Sequence, residues 1–327
     1  MSKDPNIRHG KDSRNGDFYK DPCDYLLNTA IEKNFDDMLS KLLASPDFIK
    51  LIDDSQLFKE VLNISHIERL LNIPKSIKMA AKPDFKNLAD YLYSKFVLQD
   101  GIYPRYCKQD FKILFIGRDA YGLTGYDYTW STWDKFKKKK KAFNRTVLSI
   151  AYYFSAGKRI EDDKCKKEPE IANKVVNECF DVFDLDNPPF SFACINASKI
   201  DRHKNGDRVF DREAAELFFN VVGQDLITDQ VDIINPDLII GANLRGCKLT
   251  DPRIIENIFN CYEFEGSEKN NFKVYCYTSK NNPTRIIPFV DTNKHFSAYK
   301  ENSEIESLIV ELDGYLTAKT KISWPLS

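Results

Sequence analysis

Apolar residues in this chain follow two rhythms. Short, mostly apolar runs occupy positions 112–116, 190–196, 236–241, 273–277 and 285–290, and each predicts a buried strand. Between them, apolar residues recur every three or four positions, the spacing of a helix face. Leu26, Leu27, Ala30 and Ile31 share such a face, as do Leu39, Leu42 and Leu43. Short helices are expected over 55–63 and 65–72, the second opening on Ser65 with Glu68 three residues on and stopped by Pro74. A stronger amphipathic helix over 84–98 carries Leu88, Tyr91, Leu92 and Phe96 on one stripe. Further helices are predicted over 143–154, 171–180, 211–229 and 303–316. Strands alternating with helices predict an α/β fold, a mainly parallel central sheet flanked by helices. The helices before residue 82 either cover that sheet or form an accessory bundle.

Three segments follow from this pattern. Residues 1–22 are polar and charged, too poor in apolar side chains to offset the entropy of ordering, and read as a flexible tail. Residues 23–82 form an N-terminal helical region, and 83–327 the α/β domain.

Composition narrows the function classes. The chain has 327 residues with 42% hydrophobic content, enough for a sizeable core. Its formal net charge is −1, so a nucleic-acid surface has to be a local patch. The absence of a long apolar run predicts no membrane partner, and the polar start predicts a cytoplasmic protein. The eight cysteines show no Cys-x-x-Cys spacing and the four histidines are scattered, so no metal or other cofactor is expected, and the thiols read as reduced.

Candidate chemistry sits at the strand ends. In an open α/β sheet, ligands bind in the crevice beyond the C-terminal ends of the strands. Gly117 lets the chain turn after the 112–116 run, and Asp119 follows. Asn196 ends the second run, and His295-Phe-Ser297 follows the last. A carboxylate can orient or deprotonate a water, an amide can read a heterocycle edge, and an imidazole can stabilise a developing anion. Each residue also has a plainer reading: Asp119 as a helix cap, Asn196 as a turn residue, His295 as a surface histidine. Tyr126, Tyr128, Trp130 and Trp133 crowd one loop and could stack on a base or form satellite core. The basic run 135–141 is either a solvated face or a set of phosphate contacts. The basic cluster Arg202, His203, Lys204 and Arg208 has the same two readings. Lys199 and Lys294 flank two of the motifs, where an amine could in principle form a Schiff base.

From about residue 84 to 317, the motifs resemble those of the uracil-DNA glycosylase superfamily. Gly117-Arg-Asp-Ala-Tyr-Gly122 is similar to that family's Gly-Gln-Asp-Pro-Tyr-His motif, preceded in both cases by Ile-Tyr-Pro, here Ile102 to Pro104. Ile195-Asn-Ala197 resembles its Leu-Asn-Ala, and His295-Phe-Ser297 its His-Pro-Ser. The resemblance implies a three-layer α/β/α glycosylase domain with an N-terminal helical extension. It implies DNA, double- or single-stranded, as partner, and no obligate protein partner. Asp119 and His295 would be catalytic, activating water and stabilising the departing base. Asn196, Tyr121, Tyr128, Trp130 and Gly117 would form the base pocket. Ser297, Lys294 and Lys199 would contact the DNA backbone, and Tyr299 would be the minor-groove wedge. The chain departs from the family at Arg118, Ala120, Gly122 and Phe296. Lost bulk at Ala120 and Gly122 implies a larger space beside Tyr121, and so a modified pyrimidine before plain uracil. Enzymes acting on hypermodified viral DNA in antiviral defence would fit, as would an inactive nucleic-acid-binding module of the same fold.

Overall fold

The computed structural model of the chain describes residues 21–45, 100–117, 142–156, 190–197, 224–245, 261–263 and 271–321. Seven strands form one sheet: β1 (Gly101–Ile102), β2 (Ile113–Gly117), β3 (Ala193–Asn196), β4 (Leu238–Gly241), β5 (Cys261–Glu263), β6 (Phe272–Thr278) and β7 (Ile286–Thr292). Their order across the sheet is β1-β3-β2-β4-β7-β6-β5. The middle four, β3, β2, β4 and β7, are parallel. β1 pairs antiparallel at one end, and β6 and β5 at the other. The five predicted apolar runs all hold strands, and the parallel centre agrees with their buried, unalternating character. The two shortest strands, β1 and β5, were not anticipated; two or three residues leave no periodicity to read.

Four helices are described: α1 (Pro22–Ala44), α2 (Ala142–Ala151), α3 (Gln224–Ile234) and α4 (Asn302–Lys321). They pack on both faces of the sheet. Alternate strand residues Ile113, Phe115, Cys194, Leu238, Ile240 and Val290 share a core cluster with Val147 and Ile150 of α2 and Leu308 and Leu312 of α4. On the other face Tyr277 of β6 donates its hydroxyl hydrogen toward the Thr228 carbonyl of α3 at 3.2 Å. Ile31 of α1 lies against Gly101 of β1. No helix among the described residues is long and apolar enough to cross a membrane.

The start of the helical region differs from expectation in which face is buried. The expected stripe began at Leu26, which is 67% exposed, and the buried stripe is Asp24, Asn28, Ile31, Phe35 and Met38. Asp24 opens it because its carboxylate is used. The Asp24 carboxylate accepts the N–H groups of Arg105 and, at 2.8 Å, Cys107, and Asp21 pairs with Lys108 at 2.6 Å. Burial raises the Asp24 carboxyl above its ordinary range, partly opposed by those donors. The predicted helix over 211–229 also ends late: α3 continues to Ile234, and residues before 224 lie outside the described ones.

The two ends of the parallel strands differ in kind. At the N-terminal edge, Asp237 accepts the Lys112 N–H at 2.8 Å and an Arg285 N–H at 2.9 Å, latching β2, β4 and β7 together. At the C-terminal edge β2 is followed in the chain by β3 on one side, and β4 by β5 at the far end of the other side. In open α/β sheets the ligand crevice lies where connections part in this way, which here is the position between β2 and β4.

Candidate functional site

Two glycines end the strands that border this crevice, Gly117 on β2 and Gly241 on β4. Each is bare because a neighbour's polar side chain lies over it. A Cβ on Gly117 would stand 2.2 Å from Oδ1 of Asn196, its register partner on β3. A Cβ on Gly241 would stand 2.7 Å from Oδ1 of Asp291, its register partner on β7.

The Asn196 side is built and left open. Asn196 is 5% exposed, and its main-chain N–H donates to the Asp100 carboxylate at 2.5 Å. The next residue, Ala197, donates to the Gly117 carbonyl at 2.9 Å. The backbone is thus held from both sides. Yet the side-chain Nδ2 is buried with no hydrogen-bond partner among the described residues. A buried donor without an acceptor costs about 1–3 kcal/mol, which a water or a ligand would relieve.

The Asp291 side is closed. Asp291 is fully buried and accepts the N–H groups of Leu244 at 2.7 Å and Arg245 at 3.1 Å, and Nε–H of Arg245 at 3.0 Å. Asn243, at φ 57°, turns the chain so that those successive N–H groups converge. Arg245 also donates to the Asn293 side chain. Burial raises the Asp291 carboxyl above its usual range, and the donors and Arg245 pull it back down. Thr292 then points its hydroxyl at two carbonyls, Gly241 at 2.9 Å and Lys294 at 2.8 Å, which fixes where the chain goes next.

What comes next is the His295 turn, a single 3-10 turn over Phe296–Ala298. His295 caps it: Nδ1 accepts the Ser297 N–H at 3.3 Å and lies 2.8 Å from the Ser297 hydroxyl. In the neutral tautomer whose Nδ1 accepts the Ser297 N–H, the hydrogen sits on Nε2, which is then a donor. The turn reaches across β4 to β2. Phe296 meets Phe115 edge-on with ring centres 5.8 Å apart, and Thr146 of α2 donates to the Phe296 carbonyl at 3.2 Å. Arg145 donates to the carbonyls of Tyr299 and Lys300. The Phe143 ring flanks the imidazole, 5.6 Å between centres and tilted 35°. The first turns of α2 thus hold the imidazole.

Of the expected site residues, Gly117, Asn196, His295 and Ser297 lie along this C-terminal edge. Ser297 is exposed, with its hydroxyl engaged by His295. Lys294 is exposed, paired with Glu304 at 2.9 Å, its ammonium 5.9 Å from the centre of the Tyr299 ring. Tyr299 is a correction. A wedge has to project from the surface, whereas Tyr299 is 1% exposed within the core cluster, and burial pushes its hydroxyl up to about 12. Its ring packs under the His295 turn because the chain dives there toward α4. Asp119, Tyr121, Tyr128, Trp130, Lys199 and the run 135–141 lie outside the described residues.

Sequence reasoning passed over Asp100, Asp291, Arg245 and Phe143. Asp291 carried a signal like the one that singled out Asp119, a carboxylate within a few residues of the end of a buried apolar run. Asp100 stands just before the Ile102-Tyr-Pro104 turn, and nothing local marks it. Phe143 looks like any apolar residue opening a helix. Comparison with known protein families, curated proteins and solved structures finds no match to this chain.

Proposed function

We propose that the chain is a monofunctional DNA glycosylase of the three-layer α/β/α type, cleaving the N-glycosidic bond of a flipped-out pyrimidine, a modified one before plain uracil. The observation that carries this reading is the buried, unpartnered amide of Asn196 over Gly117 at the crevice. A carboxamide with an open donor suits the edge of a base, which presents ring carbonyls and N–H groups side by side. Enzymes that act on a base in DNA take it out of the stack into such a pocket.

The remaining chemistry follows from the other strand ends. His295, with Nδ1 occupied by the Ser297 N–H, would donate from Nε2 to a carbonyl of the departing base. Asp119, two residues after Gly117 in the chain, would orient a water toward C1′ of the nucleotide. The C1′–N bond breaks with its electron pair going to the base. The water oxygen bonds C1′ while its proton passes to the Asp119 carboxylate and from there, through solvent, to the base anion, leaving an abasic site and the free base. Exposed Lys294 and Ser297 would meet the phosphate backbone, which fixes register without reading sequence.

The test is incubation with duplex and single-stranded DNA carrying uracil, hypoxanthine or 5-modified pyrimidines, followed by alkaline cleavage at abasic sites. Release of a 5-modified pyrimidine, abolished in Asp119→Asn while DNA binding is kept, is the expected result. Binding without release from any of these substrates would leave only a binding module.

A further inference from the structure

We infer that Asp100 is a positioning residue for Asn196, and that the pair forms one reading unit at the end of β3. The inference rests on the glycosylase reading for its function, while its geometry stands apart from it. β1 pairs with β3 for only two residues, Gly101 opposite Cys194 and Ile102 opposite Ala193. Beyond Gly101 the edge of β3 has no strand beside it among the described residues, and the Asn196 N–H faces that edge. The Asp100 carboxylate stands at that edge and accepts this N–H at 2.5 Å. Asp100 is itself 1% exposed. Burying a carboxylate is costly, and a two-residue edge strand does not by itself call for one.

The cost is understandable if the register of Asn196 matters. The peptide is gripped on the β1 side by Asp100 and on the β2 side through Ala197 and the Gly117 carbonyl. The side chain rests in the space that Gly117 leaves bare. With the backbone fixed on both sides, the open Nδ2 donor is presented at one place. A hydrogen bond to a carboxylate is stronger than one to a neutral acceptor, which suits a residue that has to hold still while a base enters.

Two substitutions separate positioning from plain packing. Asp100→Asn keeps an acceptor oxygen; Asp100→Leu keeps the branched outline, with bulkier ends, and removes it. Backbone amide exchange at Asn196, followed in protein labelled with 15N-asparagine, reads the contact without any need for turnover. In Asp100→Leu the exchange should be roughly 10- to 100-fold faster, and Asp100→Asn should recover much of the protection. With DNA substrate, Asp100→Leu should raise KM and blunt discrimination among bases more than it lowers kcat, again with recovery in Asp100→Asn. Unchanged exchange at Asn196 in a folded Asp100→Leu protein would overturn the inference. So would equal loss in both variants, because the acceptor would then not be what matters. If the wild type releases no base from any DNA, the glycosylase reading fails, and the exchange measurement still decides whether Asp100 positions Asn196.

Discussion

The two strand-end glycines bordering the crevice make a natural pair. Over Gly117 lies the Asn196 amide, and over Gly241 the Asp291 carboxylate. Both side chains come from the strand next door, and both are at least nine-tenths buried. They differ in what their polar atoms touch. The Asp291 carboxylate has three donors and holds the 242–245 loop in place, whereas the Nδ2 of Asn196 has no partner among the described residues. A satisfied polar group is accounted for by the fold, and an unsatisfied one asks for a partner from elsewhere. The same backbone arrangement thus carries one closed polar group and one open one.

The pair can be broken from either side, and the largest effect should fall at Asp291. Asp291→Ala strands the Arg245 guanidinium and two N–H groups, so unfolding in urea should show a loss of about 3–5 kcal/mol. The glycines come second. Gly241→Ala forces a methyl against Asp291, Leu244 and Phe289, none of which can swing away, and should cost about 1–3 kcal/mol. Gly117→Ala meets mainly the tip of the Asn196 side chain, which can rotate out. Its stability should change by less than about 1 kcal/mol, yet base release should fall sharply because the amide has moved. Asn196→Leu should leave stability unchanged or slightly raised, since removing an orphaned donor relieves its desolvation.

The smallest effect is in pH. Burial holds the Asp291 carboxyl above its unfolded value near 3.8. A raised carboxyl favours the folded state most when protonated. Its contribution is full below about 3.8 and is lost as pH rises through the raised value. The stability advantage of wild type over Asp291→Asn should therefore shrink from low pH toward neutrality in denaturant titrations. Growth of that advantage with pH would mean that Arg245 and the backbone donors outweigh burial.

Much of this architecture was legible in the sequence. The five apolar runs became β2, β3, β4, β6 and β7 because buried central strands are apolar on both faces. The strand-end rule then placed Asn196 and the His295 turn on one edge of the sheet. What stayed hidden was tertiary. The buried face of α1 opens on Asp24 and Asn28, polar residues that no hydrophobic pattern selects, because the bonds Asp24 makes are to residues some eighty positions away. Asp100 and Phe143 escaped for the same reason, since their partners Asn196 and His295 are distant in the chain. Tyr299 was misjudged because position after a motif does not reveal whether a ring points outward or into the core.

The central claim is that the open amide of Asn196 reads a base. It is tested most directly by single-turnover base release from duplexes carrying uracil or 5-modified pyrimidines, comparing wild type with a folded Asn196→Leu protein. The account predicts release by the wild type, fastest from a modified pyrimidine, and a fall of roughly 10- to 100-fold in Asn196→Leu at undiminished thermal stability. Equal release by both proteins, or a stability loss matching the loss of activity, would contradict it.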